Sequence, residues 1–194
     1  MAVAQSKQDL TETRIDALAM PDGAGWAVEA RRAALLRLRA MGLPTRRDEY
    51  WKFTDPASLT QAAAPQAAVF TGGDETPLYD GIERLKIVFV DGVFDAEASD
   101  DLSLEGVEIE RLTDVTERDI HWARDLYGTL EATGQDPVAR PLAALNTAFA
   151  TDGVVIRATG QVEKPISLVY LHRSDSSDAI LHHLVRVEEG ARVT

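Results

Sequence analysis

Short apolar segments separated by turns occupy the carboxyl-terminal part of the chain, and this pattern constrains the fold more than any other feature. The segments are residues 153–156, 166–171 and 180–187, and another begins at 191–194. Such spacing is typical of a parallel β-helix, in which one coil cannot bury its apolar face alone and several coils must stack. The sequence therefore predicts the first coils of a parallel β-helix. Because strands are still accumulating where the sequence stops, we expect the chain to be the front part of a larger protein.

The amino-terminal third is predicted to be helical. A run rich in alanine, leucine and arginine extends from Asp22, a candidate N-cap, to Met41. Gly42 suits the left-handed position that follows a helix, and Pro44 prevents the helix from continuing. The residues expected on the buried face are Trp26, Ala30, Ala33, Leu36 and Ala40.

A hairpin followed by another strand is predicted in the middle of the chain. Residues 85–90 form a β-branched and aromatic run that leads into Asp91 and Gly92, the pair preferred in two-residue hairpin turns, and the apolar pattern resumes at Val93. Residues 107–112 alternate between apolar and polar side chains, as in a half-buried strand. We expect this strand to join the same sheet as the hairpin.

Two further helices are predicted before the carboxyl-terminal segments. The first runs from Asp114 to about Leu130. The second opens at Pro141, whose missing N–H costs nothing at the first helical position, and ends before Gly153. The apolar stripe of the first helix is formed by Ile120, Ala123, Tyr127 and Leu130.

The order of these elements predicts an α+β chain with three consecutive regions. A helical region covers residues 1–68, a small mixed α/β lead-in covers 69–152, and an incomplete β-helix core covers 153–194. The first boundary lies in an alanine-rich stretch that leads into Gly72 and Gly73, which favours a connector there.

The composition argues against several classes of function. A formal net charge of −12 opposes binding to nucleic acid or to an anionic membrane, because both repel an acidic surface. The chain has no cysteine, so it offers no disulfide, no thiolate metal ligand and no cysteine nucleophile. Its apolar runs are far shorter than the roughly 20 residues of a membrane helix, and its start is polar. We therefore expect neither a signal peptide nor a membrane span, and a cytoplasmic location.

Residues 43–54 form the densest cluster of arginines, carboxylates and aromatic side chains. Arg46 and Arg47 precede two acidic residues, and Trp51 and Phe53 lie two positions apart. In the structural interpretation the arginines and acids form a solvated or locally paired surface, and the aromatics fix the loop to the core. In the functional interpretation the cluster binds an anionic ligand or docks a partner.

Candidate catalytic and metal-binding residues are scarce. His182 and His183 are adjacent, so in a regular strand they point to opposite faces and cannot bind one ion together. The sequence contains no glycine-rich phosphate loop and no nucleophile elbow. We therefore predict no catalytic, cofactor-binding or metal-binding residue in this chain.

Two stretches resemble the SufD branch of the SufB/SufD family of iron-sulfur cluster assembly proteins. Residues 43–54 follow the family signature Leu-Pro-x-Arg-Arg-x-Glu-x-Trp-Lys-Tyr-Thr, with Phe53 in place of tyrosine. Residues 145–166 resemble the family's entry into its β-helix. The residues that carry the resemblance are Pro44, Arg46, Arg47, Glu49, Trp51, Lys52, Asn146, Asp152, Gly153 and Pro165.

The resemblance implies a non-catalytic scaffold with a right-handed parallel β-helix. SufD-like proteins pair with SufB through their β-helices and bind the ATPase SufC through a later helical region. The complex is expected to handle an iron-sulfur cluster and, through SufC, ATP; a role for a reduced flavin is left open. The family's cluster-assembly cysteine and histidine match no position here, so we carry over no cofactor-binding residue. An uncovered sheet edge would favour self-association of the chain.

Two alternatives stay open at this stage. The first is an acyltransferase-type enzyme on a left-handed hexapeptide β-helix. Such an enzyme would show a six-residue repeat, and the spacing of Val154, Ile166 and Leu181 does not follow one, which argues against it. The second is a free-standing module that binds an anion through Arg46 and Arg47.

Overall fold

The computed structural model of the chain describes residues 6–63, 65–66 and 79–194. The predicted connector at Gly72 and Gly73 lies outside these described residues. Contacts divide the chain into two compact units: unit 1 contains residues 1–65 and 116–151, and unit 2 contains residues 66–115 and 152–194. The predicted domains at 1–68, 69–152 and 153–194 stay a prediction.

The described residues form a mixed α/β structure with two small sheets, which confirms the predicted combination of helices and strands. The helices are α1 (Lys7–Asp16), α2 (Gly25–Met41), α3 (Ala57–Thr60), α4 (Leu112–Thr116), α5 (Thr129–Thr133) and α6 (Pro141–Phe149). The strands are β1 (Leu85–Val90), β2 (Val93–Asp95), β3 (Val107–Arg111), β4 (Val154–Ala158), β5 (Ile166–Leu171) and β6 (Leu184–Val187). Within the described ranges, no helix combines the length and apolarity needed to cross a membrane.

In unit 1, helix α2 begins later than its predicted cap. Its N-cap is Ala24, which offers no capping side chain. The N–H of Ala24 instead donates to the carbonyl of Thr116 at 2.7 Å. The carbonyl of Asp22 accepts from the guanidinium of Arg31 at 2.8 Å, so tertiary contacts rather than an aspartate cap hold the segment before the helix.

The buried face of α2 is displaced by one to two residues from the predicted face. Helix α2 packs against α6, and Leu36, which we predicted to be buried, is exposed. Two alanines on the buried face allow the close approach of α6, and the many alanines in α2 make its periodicity ambiguous. The carboxyl end confirms the prediction, because α2 ends at Met41 and Gly42 follows with a φ of 67°. The residues on the buried face are Ala27, Arg31, Ala34 and Leu38.

The predicted helix at 114–130 is wrong, whereas the helix opening at Pro141 is confirmed. The stretch is divided into α4, a 3₁₀ turn at Trp122–Asp125, and α5. Gly128, with a φ of 72°, interrupts the helical path. Of the expected apolar stripe, Ala123 and Tyr127 are buried, whereas Ile120 and Leu130 are 87% and 85% exposed.

In unit 2, the hairpin is confirmed and the neighbour predicted for β3 is wrong. Strands β1 and β2 pair antiparallel, and Asp91 and Gly92 have φ values of 50° and 83°, as a type I′ turn requires. Strand β3 pairs with β4 in the second sheet instead of joining β1. The two sheets have the orders β2-β1-β5 and β3-β4-β6. Alternation predicts that a strand is half-buried, but it does not identify its neighbours.

The described residues do not establish the right-handed parallel β-helix, and neither described sheet closes on itself. The three strands of residues 153–194 are divided between the sheets, and β5 pairs in parallel with β1 while β6 pairs in parallel with β4. Both sheets contribute to one apolar core. Its buried members include Leu85, Ile87, Phe89, Val154 and Ile156.

Candidate functional site

Residues 43–54, which we call the motif turn, are anchored at their start. Leu43 and Pro44 are buried. The N–H of Leu43 donates to the hydroxyl of Thr11 at 2.8 Å, and that hydroxyl donates to the carbonyl of Lys7 at 2.7 Å. Helix α1 therefore holds the point at which the chain leaves α2. The signature proline is part of this buried anchor.

Asp48 closes the turn that follows. Its carboxylate accepts from the N–H of Thr45 at 2.6 Å and pairs with Lys7 at 3.1 Å. Partial burial raises the pKa of Asp48, but the hydrogen bonds from the Thr45 backbone and from Lys7 outweigh this and lower the pKa below its ordinary value. The turn is therefore fixed at neutral pH by an ionised carboxylate.

The carboxylates of the motif turn pair with lysines and not with the arginines. Glu49 pairs with Lys52, as Asp48 does with Lys7. Arg46 and Arg47 form the exposed tip of the turn, and among the described residues neither guanidinium has an ion-pair partner. Of the two forms of the structural interpretation, a solvated surface and a locally paired one, the described residues show the solvated form, with two cationic side chains facing solvent.

The aromatic side chains are more exposed than anchors would be. Tyr50 is 70% exposed and Phe53 is 90% exposed, whereas Trp51 is partly buried. The ammonium of Lys52 lies 5.1 Å from the centroid of the Phe53 ring. Of the three aromatic side chains, only Trp51 is partly buried against the turn, and the replacement of the signature tyrosine by Phe53 falls at an exposed position.

A groove lies beside the motif turn, and we call it the motif groove. It consists of two depressions of about 230 Å³ and 390 Å³ within unit 1. Both are bounded by the motif turn on one side and by the segment that leads into α6 on the other. The residues that line both depressions are Tyr50, Trp51, Val138, Ala139 and Pro141.

Asp152 and Gly153, from the second stretch of the resemblance, form a structural corner in unit 2. Asp152 is 4% exposed and forms an ion pair with Arg111. Its backbone carbonyl accepts from the N–H of His182 at 3.0 Å. A Cβ atom at Gly153 would overlap the carbonyl oxygen of His182, so the close approach of the two backbones requires glycine. Asp152 and Gly153 therefore have a structural role at this corner.

The remaining residues of the resemblance have backbone roles. Asn146 lies in α6 of unit 1, and its carbonyl accepts from the N–H of Ala150 at 2.9 Å. Pro165 precedes β5, and its carbonyl accepts from the N–H of Leu85 at 2.8 Å. The structure therefore gathers six of the ten residues in the motif turn and distributes the other four.

His183 forms a polar contact that the sequence did not indicate. Its Nδ1 accepts from the N–H of Val154 at 3.0 Å, and its Nε2 lies 2.8 Å from the hydroxyl of Tyr170. The backbone of His182 bonds to Asp152 instead, so the two histidines act separately. In the part of the chain that the structure describes, no cluster of three or more histidine and carboxylate side chains could hold a metal ion. Tyr170 lies in β5 of one sheet and His183 directly precedes β6 of the other, so the packing of the two sheets brings them together, and no motif marks them.

The two units therefore define a mixed α/β protein whose distinctive residues form a surface turn and a structural corner. Comparison with known proteins supports one family. Residues 80–168 match the family model described as the SufBD protein N-terminal region. The chain is also 28% identical over 175 residues to an iron-sulfur cluster assembly SufBD family protein of Synechocystis sp..

These matches support the SufB/SufD family for this chain. The alignment with the Synechocystis protein covers 86% of the chain and 38% of that protein, so the chain spans less than half of the length of the curated relative that it matches. The motif turn precedes the segment that matches the family model, whereas Asn146, Asp152, Gly153 and Pro165 lie within it.

Proposed function

We propose that this chain is the amino-terminal part of a SufD-type scaffold subunit in iron-sulfur cluster assembly. It acts by joining protein partners and not by catalysis. The observation that carries the proposal is the order of two features in one chain: the signature with Trp51, and then the match to the SufB/SufD amino-terminal region at residues 80–168. The match supports the family, and the tryptophan signature favours the SufD branch of it.

The proposal includes a right-handed parallel β-helix in the longer protein. Three parallel pairings support it: Asp152 with Leu181, Val155 with Leu184, and Gln161 with Arg192. Each pairing joins residues about 30 positions apart, and a nearly constant separation between parallel partners is what successive coils of a β-helix of this repeat length would produce. We propose that further coils continue this step.

The partners and cofactors belong to the whole complex. We propose that the full-length protein pairs with SufB through the β-helix and binds SufC through a later region, in the cytoplasm. The complex would then take an iron-sulfur cluster as cargo and use ATP at SufC. We propose no site for a reduced flavin, whose place in the complex is left open.

Complementation tests the SufD assignment directly. The full-length gene is expressed in two bacterial strains that depend on the SUF system, one lacking SufD and one lacking SufB, and the activity of an iron-sulfur enzyme is measured in extracts. We expect recovery only in the strain that lacks SufD. Recovery only in the strain that lacks SufB would refute the assignment while leaving the family intact.

Co-purification tests the scaffold role independently. The tagged full-length protein is expressed with the SufB and SufC proteins of the same genome, and the complex is isolated by affinity and size-exclusion chromatography. We expect one complex that contains all three proteins. A full-length protein that elutes alone in the presence of both partners would contradict the proposal.

A further inference from the structure

We infer that the motif groove, together with Arg46 and Arg47, is a docking site for an acidic segment of a partner protein that carries an aromatic or branched aliphatic side chain. The inference rests on the geometry of unit 1 and does not depend on the SufD assignment. It goes beyond the β-helix and the later helical region, through which the proposed partners SufB and SufC would bind.

The charge of the partner follows from the two arginines. The carboxylates next to them are neutralised by Lys7 and Lys52, so the tip of the turn presents two cationic side chains without local compensation among the described residues. The chain as a whole carries a formal net charge of −12. An exposed pair of guanidinium groups on an acidic protein is suited to carboxylates, which arginine binds in a two-pronged geometry.

The apolar part of the partner follows from the groove. Tyr50 and Trp51 line it on one side, and Val138, Ala139 and Pro141 line it on the other. The smaller depression is also lined by Asp48 and Glu49, whose charges Lys7 and Lys52 neutralise. Phe53 follows Trp51 by two positions in the motif turn and is 90% exposed. Aromatic and arginine side chains around an apolar depression are the composition of protein-binding hot spots, where one anchor side chain fills a pocket.

The site is preorganised. Leu43 and Pro44 are buried beneath the turn, and the ion pair of Lys7 with Asp48 holds its far side. The opposite wall includes Pro141, the first residue of α6. A rigid site loses less conformational entropy on binding, so a short peptide segment can gain useful affinity from it.

Charge also decides between possible occupants. A second copy of this chain would bring another formal charge of −12 against the first, which opposes self-docking at low salt. A free phosphate ion would engage the arginines but would leave the apolar groove uncovered. An acidic segment with an apolar anchor satisfies both halves of the site.

Peptide binding to the chain of residues 1–194 tests the inference. The probe is Ac-Glu-Asp-Leu-Phe-Glu-Asp-NH2, titrated by calorimetry and followed by amide chemical shifts. Two control peptides replace Leu-Phe by Ser-Ser, or all four acids by their amides. We expect the probe to bind, to shift the amides of Arg46, Arg47 and Trp51, and to bind at least about tenfold more tightly than either control.

Matched variants locate the site. Arg46→Glu should weaken binding of the probe about tenfold, because it places like charges together, whereas Arg32→Glu, at an exposed position of α2, makes the same change in net charge and should leave the Kd within about twofold. Phe53→Ser should weaken binding about fivefold, whereas Ile120→Ser, which also replaces an exposed apolar residue, should not. All four positions are exposed, and circular dichroism checks that each variant is folded.

Each other outcome overturns the inference. No binding of the probe, equal binding of the probe and the Ser-Ser peptide, or identical amide shifts with inorganic phosphate would mean that no groove-based docking site exists. Equal effects of Arg46→Glu and Arg32→Glu would mean that the peptide responds only to net charge. Concentration-dependent dimerisation in sedimentation that Phe53→Ser abolishes would assign the groove to a second copy.

Discussion

His183 and Tyr170 are joined by a contact of 2.8 Å between the Nε2 atom and the phenol oxygen. Because Nδ1 accepts from the backbone N–H of Val154, the neutral imidazole carries its proton on Nε2. The Nε2–H group then donates a hydrogen bond to the phenol oxygen of Tyr170. Burial lowers the pKa of His183 below its ordinary value, and the carboxylate of Asp152 partly offsets this effect. The folded protein therefore favours the neutral imidazole.

This pKa predicts a loss of stability in mild acid. A histidine whose pKa is lower in the folded state contributes full stability above its unfolded pKa of about 6.5, and that stability is lost as the pH falls below this value. We expect the free energy of unfolding, measured in urea, to fall more between pH 7.5 and pH 5.5 in the wild type than in His183→Asn. Asparagine retains an acceptor near Nδ1 and does not titrate.

The exposed His172 provides the control. His172→Asn should keep the wild-type difference between the two pH values, because this side chain is not part of the contact. An equal pH dependence in the wild type and His183→Asn would show that the Val154 and Tyr170 contacts do not control the titration.

Gly153→Ala should destabilise the protein by about 3 kcal/mol, because the new Cβ overlaps the carbonyl of His182 and forces the two backbones apart. Gly25→Ala is the matched control, since nothing lies within 4 Å of a Cβ at that helical position. It should stabilise the protein by about 0.5 kcal/mol. Chemical denaturation measures both changes, and a neutral Gly153→Ala would contradict the close approach.

Asp152→Ala should cost about 2 kcal/mol, because it removes the ion pair with Arg111 and leaves that guanidinium without its carboxylate. The side chain of Arg111 is 32% exposed, so water limits the loss below that of a fully buried pair. Glu49→Ala breaks the exposed pair with Lys52 and should change stability by less than about 0.5 kcal/mol. Comparable losses in the two variants, measured by thermal or urea unfolding, would mean that Asp152 has no special structural role.

Trp51→Ala should cost about 1 to 2 kcal/mol, less than the roughly 3 kcal/mol expected for Leu38→Ala in the core of α2. Trp51 is only partly buried, so its truncation removes less apolar area from a packed environment. Urea denaturation compares the two variants. A larger loss for Trp51→Ala would place the motif turn in the structural core and weaken its assignment as a docking surface.

Local signals in the sequence determined several features of this protein. The Asp91-Gly92 turn, the end of α2 before Gly42 and the start of α6 at Pro141 each depend on backbone preferences of one or two residues. The ten-residue resemblance also indicated the family that the comparisons support. The turn and the two helix ends follow from the sequence because the backbone preferences of adjacent residues determine them.

Only the tertiary structure decided which residues meet across long separations. The buried face of α2 depends on its packing against α6. Strand β3 pairs in the second sheet and not with the hairpin. Asp48 forms its ion pair with Lys7, which lies 41 positions away in the sequence, and not with the nearby Arg46. The contact between Tyr170 and His183 likewise joins the surroundings of two strands from different sheets and arises from the packing of those sheets. Periodicity and propensity describe how a segment folds, but the partner of a charge or of a strand is chosen by the free energy of the whole packed chain.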